Sequence, residues 1–285
     1  MYEKSFGRVG WDMWRKLAVF GGCLLVAVAL FGSIKAYSAK VKDVDLSNTT
    51  PIVLVHGTHG TANSFNGMIS RITATYGKST DKVIVLVKKD GTLEYQGTLS
   101  AKSKNPFIQI VFENNDAPIA QEAKWVDTVM KDIQKKYNVT QYDAIGHSNG
   151  GLALTTYAEE LADDSSPTME KLVVIGTPFN DLDADDNAAT TDFVDVTNRT
   201  AELQQYIMDS SNLDANLKVL SIAGDLDGDS VSDGVVPVQS ALASRLIFDS
   251  AVAEYSEQVV TGSNAQHSDL HENTTVDAIV AAFIY

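Results

Sequence analysis

From residue 51 onward, the apolar residues of the chain follow two alternating patterns. Short runs rich in β-branched residues predict seven strands, at Ile52–His56, Val83–Lys88, Phe107–Phe112, Tyr142–Gly146, Leu172–Gly176, Val219–Ala223 and Glu257–Val260. Between these runs, apolar residues recur at the spacing of amphipathic helices, as at Val126, Val129 and Ile133. Strands that alternate with helices predict an α/β fold, in which a mainly parallel sheet is covered by helices on both faces.

Two segments interrupt this alternation. Asp90-Gly91 stands between two β-prone runs, so residues 83–99 are predicted to form a hairpin insertion. Residues 179–217 separate two predicted strands by nearly forty residues and contain an acidic loop, from Asp181 to Asp186, followed by a predicted helix near 200–208. Because so long an excursion is more often functional than a plain connection, we expect it to form a small cap over the site.

The N-terminal region carries the pattern of a membrane anchor. Residues 17–34 are uncharged, and as a helix with a rise of about 1.5 Å per residue they would span about 27 Å, close to the thickness of the hydrocarbon core. Four basic residues precede this run and three follow it closely, which favours an N-terminus inside the cell. We predict a cytoplasmic tail over 1–16, an uncleaved transmembrane signal-anchor over 17–34 and a linker over 35–50. The domain at 51–285 would then lie outside the membrane, with a cleaved signal peptide as the alternative.

Composition narrows the classes of function. The 285 residues include 22 Lys or Arg and 37 Asp or Glu, which gives a formal net charge of −15 and argues against binding to nucleic acid. The single cysteine excludes an internal disulfide and a cysteine-rich zinc site. Since the chain also has no P-loop, G-x-G-x-x-G or H-E-x-x-H motif, we expect no cofactor.

The run Gly146-His147-Ser148-Asn149-Gly150 matches the pattern G-x-S-x-G. A strand pattern precedes it and a helical pattern follows it. In this strand–turn–helix arrangement, a serine is held in a strained, exposed turn beside the N–H groups that begin the helix. Ser148 is therefore the candidate nucleophile. The N–H groups of Asn149 and of Thr58, in the loop after the first strand, are the candidate donors to an oxyanion.

A serine nucleophile needs a histidine as base and an acid that orients the histidine. In the architecture predicted here, the acid and then the histidine follow the serine along the chain. The histidines after Ser148 are His267 and His271. His267 lies in a loop just beyond the last predicted strand, whereas His271 lies nearer the final helix, so we predict that His267 is the base.

Four aspartates follow the strand Val219–Ala223 and compete for the role of the acid: Asp225, Asp227, Asp229 and Asp233. Asp233 precedes a turn into a helix, which makes it the candidate most firmly fixed in position. The other three alternate along the loop, and this spacing also suits an oxygen-ligand site for calcium. The EF-hand pattern fails, however, because Val236 stands at its twelfth position. Calcium remains an alternative interpretation of this loop.

The motifs LVHGT, GHSNGG, IGTPFN, SDGVVP and AQHSDLHEN together resemble those of the α/β-hydrolase fold. More narrowly, the chain from about Pro51 to its C-terminus is similar to a family of membrane-anchored cell-surface hydrolases of Gram-positive bacteria, which are distantly similar to bacterial lipases. The resemblance implies Ser148 as nucleophile, Asp233 as acid and His267 as base, with Thr58 and Asn149 as oxyanion donors. The acidic excursion at 179–217 departs from the apolar lid of typical lipases.

These observations predict a cell-surface serine hydrolase that cleaves small carboxylic (acyl) esters through an acyl-enzyme. Two alternatives remain open. The same residues would serve another acyl-transfer enzyme, such as a thioesterase, an acyltransferase or a peptidase. A catalytically silent surface binding module is the alternative from a different class, although such a protein would more naturally have lost a member of the triad.

Overall fold

The computed structural model describes residues 44–76, 81–100, 102–193, 195–196, 198–228 and 230–285. The predicted tail and signal-anchor, together with most of the predicted linker, lie outside these residues. Among the residues described, no helix combines the length and apolar character needed to cross a bilayer.

Within this part of the chain, eight strands form one sheet. They are β1 (Ile52–Val55), β2 (Lys82–Val87), β3 (Leu93–Thr98), β4 (Phe107–Phe112), β5 (Gln141–His147), β6 (Thr168–Ile175), β7 (Lys218–Asp225) and β8 (Glu254–Thr261). Their order across the sheet is β3-β2-β4-β1-β5-β6-β7-β8. All neighbouring strands are parallel except β2 and β3, which form an antiparallel hairpin closed by the turn at Asp90-Gly91. The predicted parallel sheet and hairpin insertion are both confirmed.

The described α-helices fall mostly between the strands, as the apolar spacing predicts. They are α1 (Asn66–Tyr76), α2 (Ile119–Tyr137), α3 (Asn149–Glu160), α4 (Ala201–Asp209), α5 (Val238–Leu242), α6 (Ser244–Phe248) and α7 (Thr274–Ile284). Short 3₁₀ helices occupy Ala184–Asp186, Ser210–Asn212, Ser263–Ala265 and His267–Glu272.

The central strand β1 shows how the helices cover both faces of the sheet. Ile52 and Leu54 lie in one apolar cluster with residues of α1 and α7. Because successive side chains of a strand point to opposite faces, Val53 and Val55 face the other way, and both are fully buried there, where α3 packs against β1 and β5. Burial on both faces explains why the run is apolar throughout.

The folded domain begins before Pro51, which corrects one predicted boundary. The side chain of Leu46 is fully buried, and its N–H donates to the carbonyl oxygen of Tyr137 at 2.7 Å. Residues 44–50, predicted as part of a linker, therefore pack against the end of α2. A single buried leucine within a polar segment is too weak a pattern to reveal this contact from the sequence.

Buried amide side chains organise the long excursion after β6. The Nδ2 group of Asn180 donates to the carbonyl oxygens of Asp186 and Asn198, at 3.3 and 2.9 Å, and its Oδ1 accepts the N–H of Thr200 at 3.0 Å. Gln239 of α5 donates to two further carbonyl oxygens of the excursion. The predicted helix near 200–208 is confirmed as α4, and the excursion packs on α5.

Candidate active site

The turn between β5 and α3 holds Ser148 in an unusual conformation. Its backbone angles are φ 54° and ψ −129°, a region that costs about 1–3 kcal/mol for a residue other than glycine. The turn is fixed on both sides, because the N–H of Ser148 donates to the carbonyl oxygen of Ile175 and its carbonyl oxygen accepts the N–H of Gly151, both at 2.9 Å. The hydroxyl is thereby directed out of the carboxyl-terminal edge of the sheet.

Glycines permit the close approach of neighbouring chains around this turn. A Cβ atom at Gly150 would lie 2.2 Å from the carbonyl oxygen of Val55 at the end of β1. A Cβ atom at Gly57 would lie 2.6 Å from the Cβ of Ser148. The loop after β1 is therefore in contact with the candidate nucleophile, and side chains at either glycine would force them apart.

The structure brings Ser148, His267 and Asp233 into one chain of hydrogen bonds. Nε2 of His267 lies 3.0 Å from Oγ of Ser148, and its Nδ1 lies 2.7 Å from Oδ2 of Asp233. Asp233 is 1% exposed, and its Oδ1 accepts the N–H groups of Val235 and Val236 at 2.9 and 2.6 Å. Because the two N–H groups fix the carboxylate, it can hold the imidazole ring in one orientation.

Two of the three competing aspartates, Asp225 and Asp227, do not bond His267. Asp225 is buried at the end of β7, where its Oδ1 accepts the N–H of Asp227 at 3.2 Å, and Asp227 is exposed. Asp229 is outside the described residues. Among the residues that are described, no group of three His, Cys, Asp or Glu side chains could hold a metal ion.

His271 lies beside the triad without joining it. Its ring packs against the rings of Phe65 and His147, with centroid distances of 5.7 and 4.8 Å. Its Nδ1 makes no hydrogen bond and lies 3.6 Å from Oε1 of Glu272. Burial lowers the pKa of His271 below its ordinary value, and Arg71 donates to its carbonyl oxygen at 3.0 Å. The residue therefore serves to pack and anchor this loop.

The two candidate oxyanion donors are linked to each other. Nδ2 of Asn149 donates to Oγ1 of Thr58 at 2.7 Å, across the gap between the start of α3 and the loop after β1. This bond holds together the two segments that carry the candidate donors. His56, in the same loop, accepts the N–H of Phe112 at Nε2 and bonds the carbonyl oxygen of Gly57 at Nδ1, so it shapes the loop.

His147 is also part of this region, although no pattern in the sequence marks it as a functional residue. Its ring is buried, and its centroid lies 4.7 Å from that of His267. In the sequence, His147 is marked only by its position between a predicted strand and the candidate nucleophile. That position does not reveal that its ring lies beside His267.

The edge of the sheet that carries the triad is acidic. Exposed carboxylates stand in the loops that follow β4, β6, β7 and β8: Asp116, Asp181, Asp183, Asp185, Asp192, Asp227, Asp269 and Glu272. Fewer described cations stand at or near this edge: Arg71, Lys88, Arg199 and Arg245 are each paired with a carboxylate, and Lys89 follows β2. The field at this edge therefore disfavours anionic molecules.

Comparison with known proteins agrees with this architecture. Residues 39–285 match the model of a family described as α/β hydrolase of unknown function (DUF915). The chain belongs to this family. Like its other members, it is an α/β hydrolase, and its eight-stranded, mostly parallel sheet has that fold. No curated protein matches the sequence.

Two solved structures are similar to the chain over most of its length. The lin2722 product of Listeria innocua is 38% identical, with a TM-score of 0.79, and the match covers 83% of this chain and 94% of the other. A protein of Lactobacillus plantarum WCFS1, described as a candidate cell surface hydrolase, is 29% identical with a TM-score of 0.69. That match covers 83% of this chain and 90% of the other.

The site geometry separates the two late histidines by their contacts. We expect His267→Ala to reduce kcat for an ester substrate by about three orders of magnitude or more, because it removes the group bonded to Ser148. His271→Ala should keep at least about a tenth of the parent activity, because its ring makes packing contacts and bonds no member of the triad. Steady-state kinetics of both variants, with thermal unfolding as a check on folding, make the comparison. Equal losses in two folded variants would contradict this assignment.

Proposed function

We propose that this α/β hydrolase cleaves carboxylic esters through an acyl-enzyme formed on Ser148. The observation that carries the proposal is the continuous hydrogen-bond chain from Ser148 Oγ to His267 and on to Asp233, at 3.0 and 2.7 Å. The strained turn that exposes Ser148 supports the same role, because it keeps the hydroxyl clear of its own helix.

In the proposed mechanism, Oγ of Ser148 attacks the ester carbonyl carbon while Nε2 of His267 takes the hydroxyl proton. The carbonyl oxygen becomes an oxyanion, which the main-chain N–H groups of Thr58 and Asn149 stabilise. As the tetrahedral intermediate collapses, the C–O bond to the alcohol breaks and His267 returns its proton to that oxygen. Asp233 holds the ring and stabilises the imidazolium that forms in between. Water, activated by the same His267, then releases the carboxylic acid and restores Ser148.

The first test concerns Ser148 itself. We expect Ser148→Ala to lose at least about three orders of magnitude in kcat on p-nitrophenyl esters, while its unfolding temperature stays close to that of the parent. A fluorophosphonate probe should label the parent and leave the variant unlabelled. Labelling of the parent without hydrolysis of any ester would favour another acyl-transfer reaction. A parent protein that neither labels nor hydrolyses would favour a silent binding module.

The acidic edge predicts which esters react fastest. A p-nitrophenyl ester with a carboxylate on its acyl chain should have a kcat/KM about tenfold lower than a neutral ester of similar length at low salt. At 0.5 M NaCl, where the Debye length is about 4 Å, the difference should shrink. The double variant Asp183→Asn, Asp185→Asn should also reduce the difference in kcat/KM between the two esters. The control pair Asp164→Asn and Asp214→Asn lies far from the triad, in the loops that precede β6 and β7, and should leave the difference unchanged. Equal rates for both esters at low salt would exclude this electrostatic preference.

We further propose that the domain is displayed at the cell surface by the apolar segment 17–34. The support is that segment's length and lack of charge, together with the description of the Lactobacillus plantarum relative as a candidate cell surface hydrolase. Full-length protein should sediment with membranes, and a chain starting near Lys40 should stay in the supernatant. Protease added to intact protoplasts should digest the domain. Protection of the domain from the protease would contradict the proposed orientation.

A further inference from the structure

His147 makes a hydrogen bond that the proposed mechanism does not use. It is the last residue of β5 and stands directly before Ser148 in the chain. Its side chain is buried, and its Nε2 lies 2.9 Å from the main-chain carbonyl oxygen of His267, 120 residues away in the chain. The residue before the nucleophile is therefore bonded to the main chain of the base.

The chemistry of this contact fixes the state of His147. A carbonyl oxygen can only accept a hydrogen bond, so Nε2 of His147 must carry the proton. Burial lowers the pKa of His147 well below its ordinary value, with smaller contributions from His267 and His271, so the ring is neutral. A neutral ring beside His267 donates its N–H without opposing the positive charge that His267 takes up when it accepts the proton of Ser148.

The same bond completes the attachment of His267. Its main-chain N–H donates to the carbonyl oxygen of Asp233 at 2.9 Å, and its Nδ1 bonds the carboxylate of the same residue. The carbonyl oxygen of His267 then accepts from His147. One side of the residue is held by the acid and the other by the strand that carries the nucleophile, so rotation of this peptide would move the ring away from Ser148.

We propose that His147 is a positioning residue, which sets the distance between the hydroxyl of Ser148 and the ring of His267 through the carbonyl oxygen of His267. Because His147 pairs with Ile175 in the sheet, its main chain is rigidly held at the position from which its side chain makes this contact. The catalytic consequence rests on the proposed function, whereas the structural one, the Ser148–His267 distance, does not.

Two substitutions with side chains of similar size distinguish the effect of the hydrogen bond from the effect of packing. His147→Phe keeps a ring in the buried space and removes the donor, whereas His147→Gln keeps an N–H at a similar distance from the main chain. We expect the Phe variant to lose about 10- to 100-fold in kcat with KM within about twofold of the parent, because a misplacement of about 1 Å can cost 10²-fold. The Gln variant should stay within about threefold of the parent on both constants.

The control is His271→Phe, since His271 also contacts the ring of His147 but makes no hydrogen bond to His267. It should keep kcat near that of the parent. Thermal unfolding of all three variants shows whether each is folded. A folded Phe variant with the kcat of the parent, or a folded Gln variant as impaired as the Phe variant, would overturn the proposal.

Crystal structures of the two His147 variants give a readout that needs no turnover. The distance from Ser148 Oγ to His267 Nε2 should stay near 3.0 Å in His147→Gln and exceed hydrogen-bonding distance in His147→Phe. An unchanged distance in both variants would overturn the positioning role. If the parent hydrolyses no ester but the distance changes as expected, the proposed function fails and the positioning role stands.

Discussion

The rest of the site depends on the strained turn at Ser148. Its backbone conformation is unfavourable by itself, so it persists only because the buried strand β5 and the helix α3 hold both of its ends. The bond from its N–H to Ile175 connects the turn to β6, and the contact with Gly57 connects it to the loop after β1. The free energy stored in the turn is thus offset by the packing of a fully buried parallel sheet. That packing also decides where the hydroxyl points.

The parallel sheet also places every group of the site at one edge. The carboxyl ends of β1, β5, β7 and β8 supply Thr58, Ser148, Asp233 and His267 in turn. The loop of His267 follows the last strand of the chain, and further contacts hold it against this edge. Arg71 of α1 contributes by bonding the carbonyl oxygen of His271 and the carboxylates of Glu272 and Asp277. The base is therefore held by the sheet on one side and by α1 and α7 on the other.

Strand prediction succeeded where burial was uniform and was less exact at the edge of the sheet. The predicted strands Ile52–His56 and Phe107–Phe112 agree with β1 and β4 to within one residue, because both faces of a buried strand select apolar, β-branched residues. By contrast, β8 runs from Glu254 to Thr261, whereas the pattern predicts only its second half. As an edge strand with polar side chains along one face, β8 is specified by its pairing with β7.

The sequence by itself determined the fold class, the hairpin, the turn that carries Ser148 and the order in which an acid and a histidine must follow it. These are local patterns, because they rest on the periodicity of strands and helices and on residues adjacent in the chain. The tertiary structure decided the distances at which groups meet: Asp233 lies 2.7 Å from Nδ1 of His267, and His147 reaches the main chain of His267. It also joined Thr58 to Asn149. These contacts link residues 34 to 120 positions apart in the chain, and their distances depend on how the sheet and its loops pack, which no local pattern encodes.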